Sequence, residues 1–190
     1  MRMALIILVM SVAFPWFPAF TEEVPCPYSV YPHALQGIGL VDGDPTVLVF
    51  TRLFPGQNED RTVAEFDITA FKGDIQHISL VVEVSNSDQG GDVGEIQLHT
   101  YIADGVITPS EFYAGVFHSS VPMNDPDNRI FIVFDVTSTV LDAVAADETY
   151  LGTRLNAITD RYWVYSIFLR CEEGTPDDRM SWGKIKSLAR

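Results

Sequence analysis

Residues 75–84 read IQHISLVVEV, and this stretch decides the fold class. Ile78, Leu80, Val82 and Val84 fall on one side of a two-residue repeat, and His77, Ser79, Val81 and Glu83 fall on the other. Such alternation describes a strand with one face on a core and the other on solvent. A slip of one residue would bury a histidine and a glutamate, so the register is strongly specified.

The same period recurs on both sides. Upstream, residues 62–68 (TVAEFDI) set Ala64, Phe66 and Ile68 against Val63, Glu65 and Asp67. Residues 46–52 (TVLVFTR) are rich in β-branched side chains and follow the turn signal Asp42-Gly43-Asp44-Pro45. Downstream, residues 86–94 are a loop by composition, and 95–101 (EIQLHTY) resume the alternation. A single helical turn at 109–112 precedes a weaker strand at 113–119. Residues 130–136 (IFIVFDV) are apolar on both faces up to Asp135, which predicts a central strand covered on both sides. Residues 137–146 (TSTVLDAVAA) break the pattern: Val140, Leu141 and Val144 share a helical face after good capping residues. Strands at 150–155 and 162–171 close the domain. The expected fold is all-β, a jelly-roll-like antiparallel β-sandwich of about eight strands with one short helix.

The ends of the chain carry other signals. Arg2 is followed by an uncharged, apolar run through Phe20, the layout of a secretory signal peptide. Pro15 and Pro18 interrupt that run well short of the ~20 residues a spanning helix needs. Ala19 suits cleavage, whereas Phe17 is large for the small-x-small rule, so an uncleaved signal anchor is the alternative. The sequence therefore divides into a signal peptide at 1–20, an N-terminal extension at 21–45, the sandwich at 46–171, and a polar linker with a basic tail at 172–190. In that tail Trp182, Ile185 and Leu188 recur every third residue, and Gly183, Lys184, Lys186 and Arg190 interleave with them. A basic, apolar-striped end on an acidic protein reads as a sorting or docking peptide, with a frayed end as the alternative.

Export sets the expectations for charge and cysteine. The net charge of −14 disfavours nucleic acid and other polyanions over the body of the protein, and membrane contact is expected only through the signal or the tail. The two cysteines, Cys26 and Cys171, make one disulfide the simplest reading in an oxidising compartment. Such a bond would clasp the two ends of the sandwich. The expected location is extracytoplasmic, secreted or in the cell envelope.

The segments FDIT (66–69), IQHISLVVEV, GEIQLHTYIADGVITPSEF (94–112) and FDVTSTVLDAVAADETYLGTRL (134–155), with the final aromatic strand, carry a resemblance. Their order resembles bacterial exported jelly-roll domains similar to carbohydrate-binding-module sandwiches of the DNRLRE type. The resemblance implies a binding domain and gives Asp67 and Asp135 the role of strand-end residues that organise the following turn.

A search for chemistry among the residues yields little that is catalytic. The histidines, His33, His77, His99 and His118, form no closely spaced pair, and no nucleophile elbow occurs. No catalytic residue is assigned, and the chain is expected not to be an enzyme. His77 and His99 face outward on consecutive strands; a solvated polar face is the preferred reading, and a weak surface metal site would need those strands to pair. Asp88, Asp92 and Glu95, in and beside a Gly-rich loop, supply hard oxygen ligands for a candidate calcium site, and Asn124, Asp125, Asp127 and Asn128 form a second cluster; ordinary turn formation is the alternative for both. No other cofactor is expected. A glycan ligand would need flat aromatic platforms, for which Tyr101, Tyr113 and Tyr162 are the candidates, whereas Trp163 and Tyr165 share the face of Ile167 and Leu169 and are expected in the core. The expected function is a non-catalytic extracellular binding module for a glycan or another surface polymer. A structural or surface-assembly protein of the envelope, directed by its tail, is the alternative.

Overall fold

The computed structural model describes residues 28–71, 75, 77–86, 94–123 and 129–172. The chain forms β1 (Tyr28–Val30), β2 (Ala34–Val41), β3 (Asp44–Leu48), β4 (Arg52–Leu53), β5 (Asp60–Asp67), β6 (His77–Asn86) and β7 (Gly94–Ala103). A 3-10 turn (Pro109–Phe112) leads to β8 (Val116–Met123), β9 (Ile130–Asp135), α1 (Thr137–Ala145), β10 (Tyr150–Ala157) and β11 (Tyr162–Glu172). The strands make two antiparallel sheets. One has the order β1-β11-β6-β9, with β4 also on β11, and the other has the order β3-β2-β5-β10-β7-β8. This is the expected β-sandwich, and the short strands β1, β3 and β4 accompany the longer ones.

The core between the sheets is built from one side of each alternating strand. Ile78, Leu80, Val82 and Val84 of β6 meet Ala64 and Phe66 of β5, Ile96 and Leu98 of β7, and Leu151 and Leu155 of β10. Burying each such aliphatic side chain contributes about 1.5–3 kcal/mol, so this interface dominates the stability of the fold. Two equivalent devices end strands of opposite sheets. The Asp67 carboxylate accepts hydrogen bonds from the amide and hydroxyl of Thr69, and the Asp135 carboxylate accepts them from the amide and hydroxyl of Thr137. Both carboxyls are thereby held below their ordinary pKa, chiefly by the threonine hydroxyls. FDIT and FDVT are thus the same local structure, in which Phe66 and Phe134 enter the core and the aspartate turns the chain.

Four expectations change. Residues 28–45, assigned to an extension, supply β1 to one sheet and β2 with the start of β3 to the other, because their backbone pairs with β11 and β5. The run at 46–52 divides into β3 and β4, with residues 49–51 between them. β9 pairs with β6 alone and lies at a sheet edge, with Phe131 62% exposed, so its apolar composition does not mark a central strand. In β11 the pairing to β6 shifts between Val164 and Ser166. This bulge changes the parity of the strand: Tyr162 joins Ile167 and Leu169 inside, and Tyr165 is exposed.

Candidate functional site

The outer face of the six-stranded sheet is partly roofed by its own chain. Residues 104–115 cross over it, and the 3-10 turn places Phe112 against Ile38 and Val63, with Leu40, Tyr101 and Ile107 packed around them. Val63 and Glu65 point away from the main core and are nonetheless buried. Two guanidinium groups tie this roof down. Arg61 Nη1 and Arg154 Nη1 both donate to the carbonyl of Phe112, the latter at 2.8 Å. The Arg61 guanidinium also lies 4.1 Å from the centre of the Phe112 ring.

Beyond the roof the same face carries a polar floor. Register places His99 of β7 directly across from Arg154 of β10, and Gln97 across from Asn156. On β8, Phe117 stands opposite His99 and Ser120 opposite Gln97. Asn156 Nδ2 donates to Gln97 Oε1 at 3.3 Å, and the Phe117 ring meets the His99 imidazole edge to face at 5.8 Å. Arg154 and Asn156 are only 5% and 6% exposed, yet Arg154 Nε, Asn156 Oδ1 and His99 Nδ1 have no hydrogen-bond partner. Buried polar atoms are nearly always paired in native proteins. Three such atoms therefore gather beneath the surface of two adjacent strands, beside the partly exposed Gln97 and His99.

The electrostatics follow from this burial. Desolvation, reinforced by the neighbouring Arg154 and Arg61 charges, lowers the His99 pKa to about 4, so its imidazole is neutral at neutral pH. Desolvation, with Arg61 beside it, lowers the Arg154 pKa to about 10, which still leaves the guanidinium charged. The floor thus holds one cation, one neutral imidazole and two carboxamides, with the exposed ring of Phe117 (57%) beside it.

The sequence candidates distribute unevenly around this floor. Tyr113 is exposed and meets Phe112 edge-on at 4.9 Å, at the end of the 3-10 turn. Tyr101 is not a platform: its ring passes over Gly152 and its hydroxyl donates to Glu65 Oε1 at 3.0 Å. Tyr162 is 2% exposed in the core, where burial raises its phenol pKa to about 12. Trp163 packs with Phe50, and Arg129 lies 3.7 Å above the Tyr165 ring, so both residues belong to the outer face of the other sheet. Glu95 lies beside the floor at the lower end of β7, within 3.4 Å of Gln97 Nε2. Asp88, Asp92, the 124–128 cluster, Cys26, the segment 1–20 expected to be a signal and the tail residues Trp182 to Arg190 lie outside the described residues. Cys171 is buried at the end of β11, directly across from Tyr28.

Arg154, Asn156, Gln97, Arg61 and Phe117 were not singled out from the sequence. The period of two in YLGTRLNA puts Tyr150, Gly152, Arg154 and Asn156 on one face, but nothing in the chain says which strands lie beside them. The proposed His77–His99 pair does not form, because β6 and β7 belong to different sheets, and among the described residues no cluster of metal-ligating side chains occurs. One serine-histidine-aspartate order does exist. Ser79 Oγ is 2.9 Å from His77 Nε2, and Asp135 Oδ1 is 3.8 Å from His77 Nδ1. Ser79 is buried, and the aspartate is engaged by Thr137 and lies too far from His77 to orient its imidazole, so the geometry is that of a capped strand end.

No protein-family profile matches this sequence, and no curated protein matches it. Among solved structures the chain is similar to a xylan-binding module, CBM15, at a TM-score of 0.44 and 10% identity, over 78% of this chain and 100% of that one. No residue of the site is assigned from that likeness.

Proposed function

We propose that this chain is a non-catalytic, extracytoplasmic binding module whose ligand, a glycan or a similarly hydroxylated polymer, lies on the open half of the outer face of the six-stranded sheet. One observation carries the reading: the partly exposed Gln97 and His99 stand beside the exposed ring of Phe117 on this face, next to Asn156 and Arg154, whose Oδ1 and Nε have no hydrogen-bond partners. Sugar hydroxyls both donate and accept, so they match a floor that mixes donors and acceptors. The exposed ring of Phe117 beside it, and that of Tyr113 on the segment that crosses the same sheet face, offer flat apolar surfaces of the kind that pack on sugar faces. A ligand lying on a rigid sheet meets side chains already held in place, which limits the entropy lost on binding.

Glycan-array screening of the full chain, followed by affinity electrophoresis, tests this. Binding that weakens about tenfold or more in Gln97→Ala/Asn156→Ala, with thermal stability retained, supports the reading. Binding unaffected by that pair, or absent across neutral and acidic glycans alike, removes it.

A further inference from the structure

We propose that the 104–115 roof is a proton-controlled flap: with Glu65 protonated it lies closed on the six-stranded sheet, and with Glu65 ionised it loosens and uncovers the apolar half of that face. The segment's own bonds make it a unit. It leaves β7 through Gly105 and enters β8 through Gly115, both at positive φ (85° and 91°), a conformation glycine adopts without strain. The amides of Glu111, Tyr113 and Ala114 donate to carbonyls of the segment itself, and Thr108 and Glu111 close a capping box within it. Phe112 fastens it to the sheet, its ring in the small cluster with Ile38 and Val63 and its carbonyl held by both arginines. At the other end it is fastened by Gly105, whose amide donates to the Glu65 carboxylate.

This second fastening is the one sensitive to protons. Glu65 is buried, Oε1 accepts from the Tyr101 hydroxyl, and Oε2 has no hydrogen-bond partner. Two roof carboxylates, Asp104 and Glu111, repel it, and the residues directly across from it on β2 and β10 are Ala34 and Gly152, which bring no cation. The cations of this face, Arg61 and Arg154, both give Nη1 to Phe112, with Glu59 on Arg61; the other titratable groups around Glu65 are Asp67 on β5, Tyr150 on β10, His99 on β7 and His33 before β2. Burial raises the Glu65 pKa against its two hydrogen bonds, and an open roof admits water and returns it toward its ordinary value. Closing therefore takes up a proton. The closed roof is most stable below the open-state pKa and loses stability as pH rises through the closed-state one. His99 has the opposite sign and cannot produce this effect. Opening uncovers Ile38 and Val63; an effect of this on ligand binding rests on the proposed function, whereas the proton control does not.

The experiment is residue-resolved amide hydrogen exchange of the full chain by NMR between about pH 4 and 8, each rate compared with the intrinsic rate at that pH. Protection at Gly105 and across 111–114 is expected to fall about threefold or more as pH rises, while β5 and β10 keep theirs. Glu65→Gln should hold the acid level of protection at every pH, and Asp104→Asn should reduce the fall without abolishing it. Protection in the wild type that does not change with pH would overturn the proposal. So would a fall that persists in Glu65→Gln, or one shared equally by β5 and β10. The wild-type series needs no variant, so the test survives a failure of Glu65→Gln to fold. No ligand enters it, so its failure leaves the proposed binding face standing.

Discussion

Tyr101 and Glu65 lie on strands that do not pair, yet the Tyr101 hydroxyl donates to Glu65 Oε1 at 3.0 Å by reaching across β10. It can do so because the residue beneath it is Gly152, which faces Glu65 on one side and Tyr101 on the other. A Cβ at that position would sit 2.2 Å from the Tyr101 ring. This contact fixes the upper boundary of the candidate site, where the roof begins.

Gly152→Ala is therefore expected to lower stability by about 1–3 kcal/mol, the usual range for overpacking, by displacing Tyr101 from Glu65. Urea unfolding monitored by fluorescence measures it. Wild-type stability in that variant would show that the ring is not held where the structure places it.

Glu65 is itself a destabilising charge. It is 1% exposed, burial raises its pKa, and Oε2 has no hydrogen-bond partner. Because the folded-state pKa lies above the unfolded one, the penalty is present at neutral pH and is relieved as pH falls through the folded value. Glu65→Gln should accordingly raise stability at neutral pH by about 1 kcal/mol, with the gain shrinking in acid. Thermal melts of both proteins across pH give the answer, and a loss of stability at neutral pH would contradict it.

His99 acts in the opposite sense. Its pKa falls from 6.5 to about 4 on folding, so below 6.5 the unfolded chain binds the extra proton. Stability from the neutral imidazole is complete above that window and is lost as pH descends through it, at no more than ~1.4 kcal/mol per pH unit. His99→Gln should flatten the pH dependence between about 6.5 and 4 relative to the wild type. Parallel curves for the two proteins would show that His99 does not titrate in this way.

The pairing of Tyr28 with Cys171 brings the chain to within two residues of Cys26 at the buried end of β11. A Cys26–Cys171 bond is expected once the chain reaches an oxidising compartment. Intact-mass analysis before and after reduction should differ by the two hydrogens of one disulfide, and reduction should cost up to ~4–5 kcal/mol for so long a loop. Alkylation of both thiols without reductant would exclude the bond.

The basic tail is tested by removal of residues 180–190. Altered secretion or loss of retention at the cell surface is the expected outcome of a sorting or docking role, followed by fractionation and blotting. An unchanged distribution counts against that role.

Side-chain alternation was legible throughout because it is local. The inward faces of β5, β6 and β7, the 3-10 turn at 109–112, the helix after Asp135 and the two aspartate turns all follow from patterns a few residues long. What alternation cannot carry is partnership. Whether β9 is central or at an edge, whether β6 lies beside β7, and whether residues 28–45 join the sandwich depend on pairings between distant segments, and a strand's composition is nearly the same in either case. The bulge in β11 reverses which aromatics are buried through one irregular residue that leaves no mark in the hydrophobic pattern. The candidate site belongs wholly to this second category. Arg61, Gln97, His99, Arg154 and Asn156 come from three strands, and only sheet order and register make them neighbours. The sequence by itself determined that the chain is a β-sandwich and which side of several strands faces the core, since burial of apolar side chains enforces a period of two. Tertiary structure alone decided which polar side chains on the outer face meet and which of them the 104–115 segment covers.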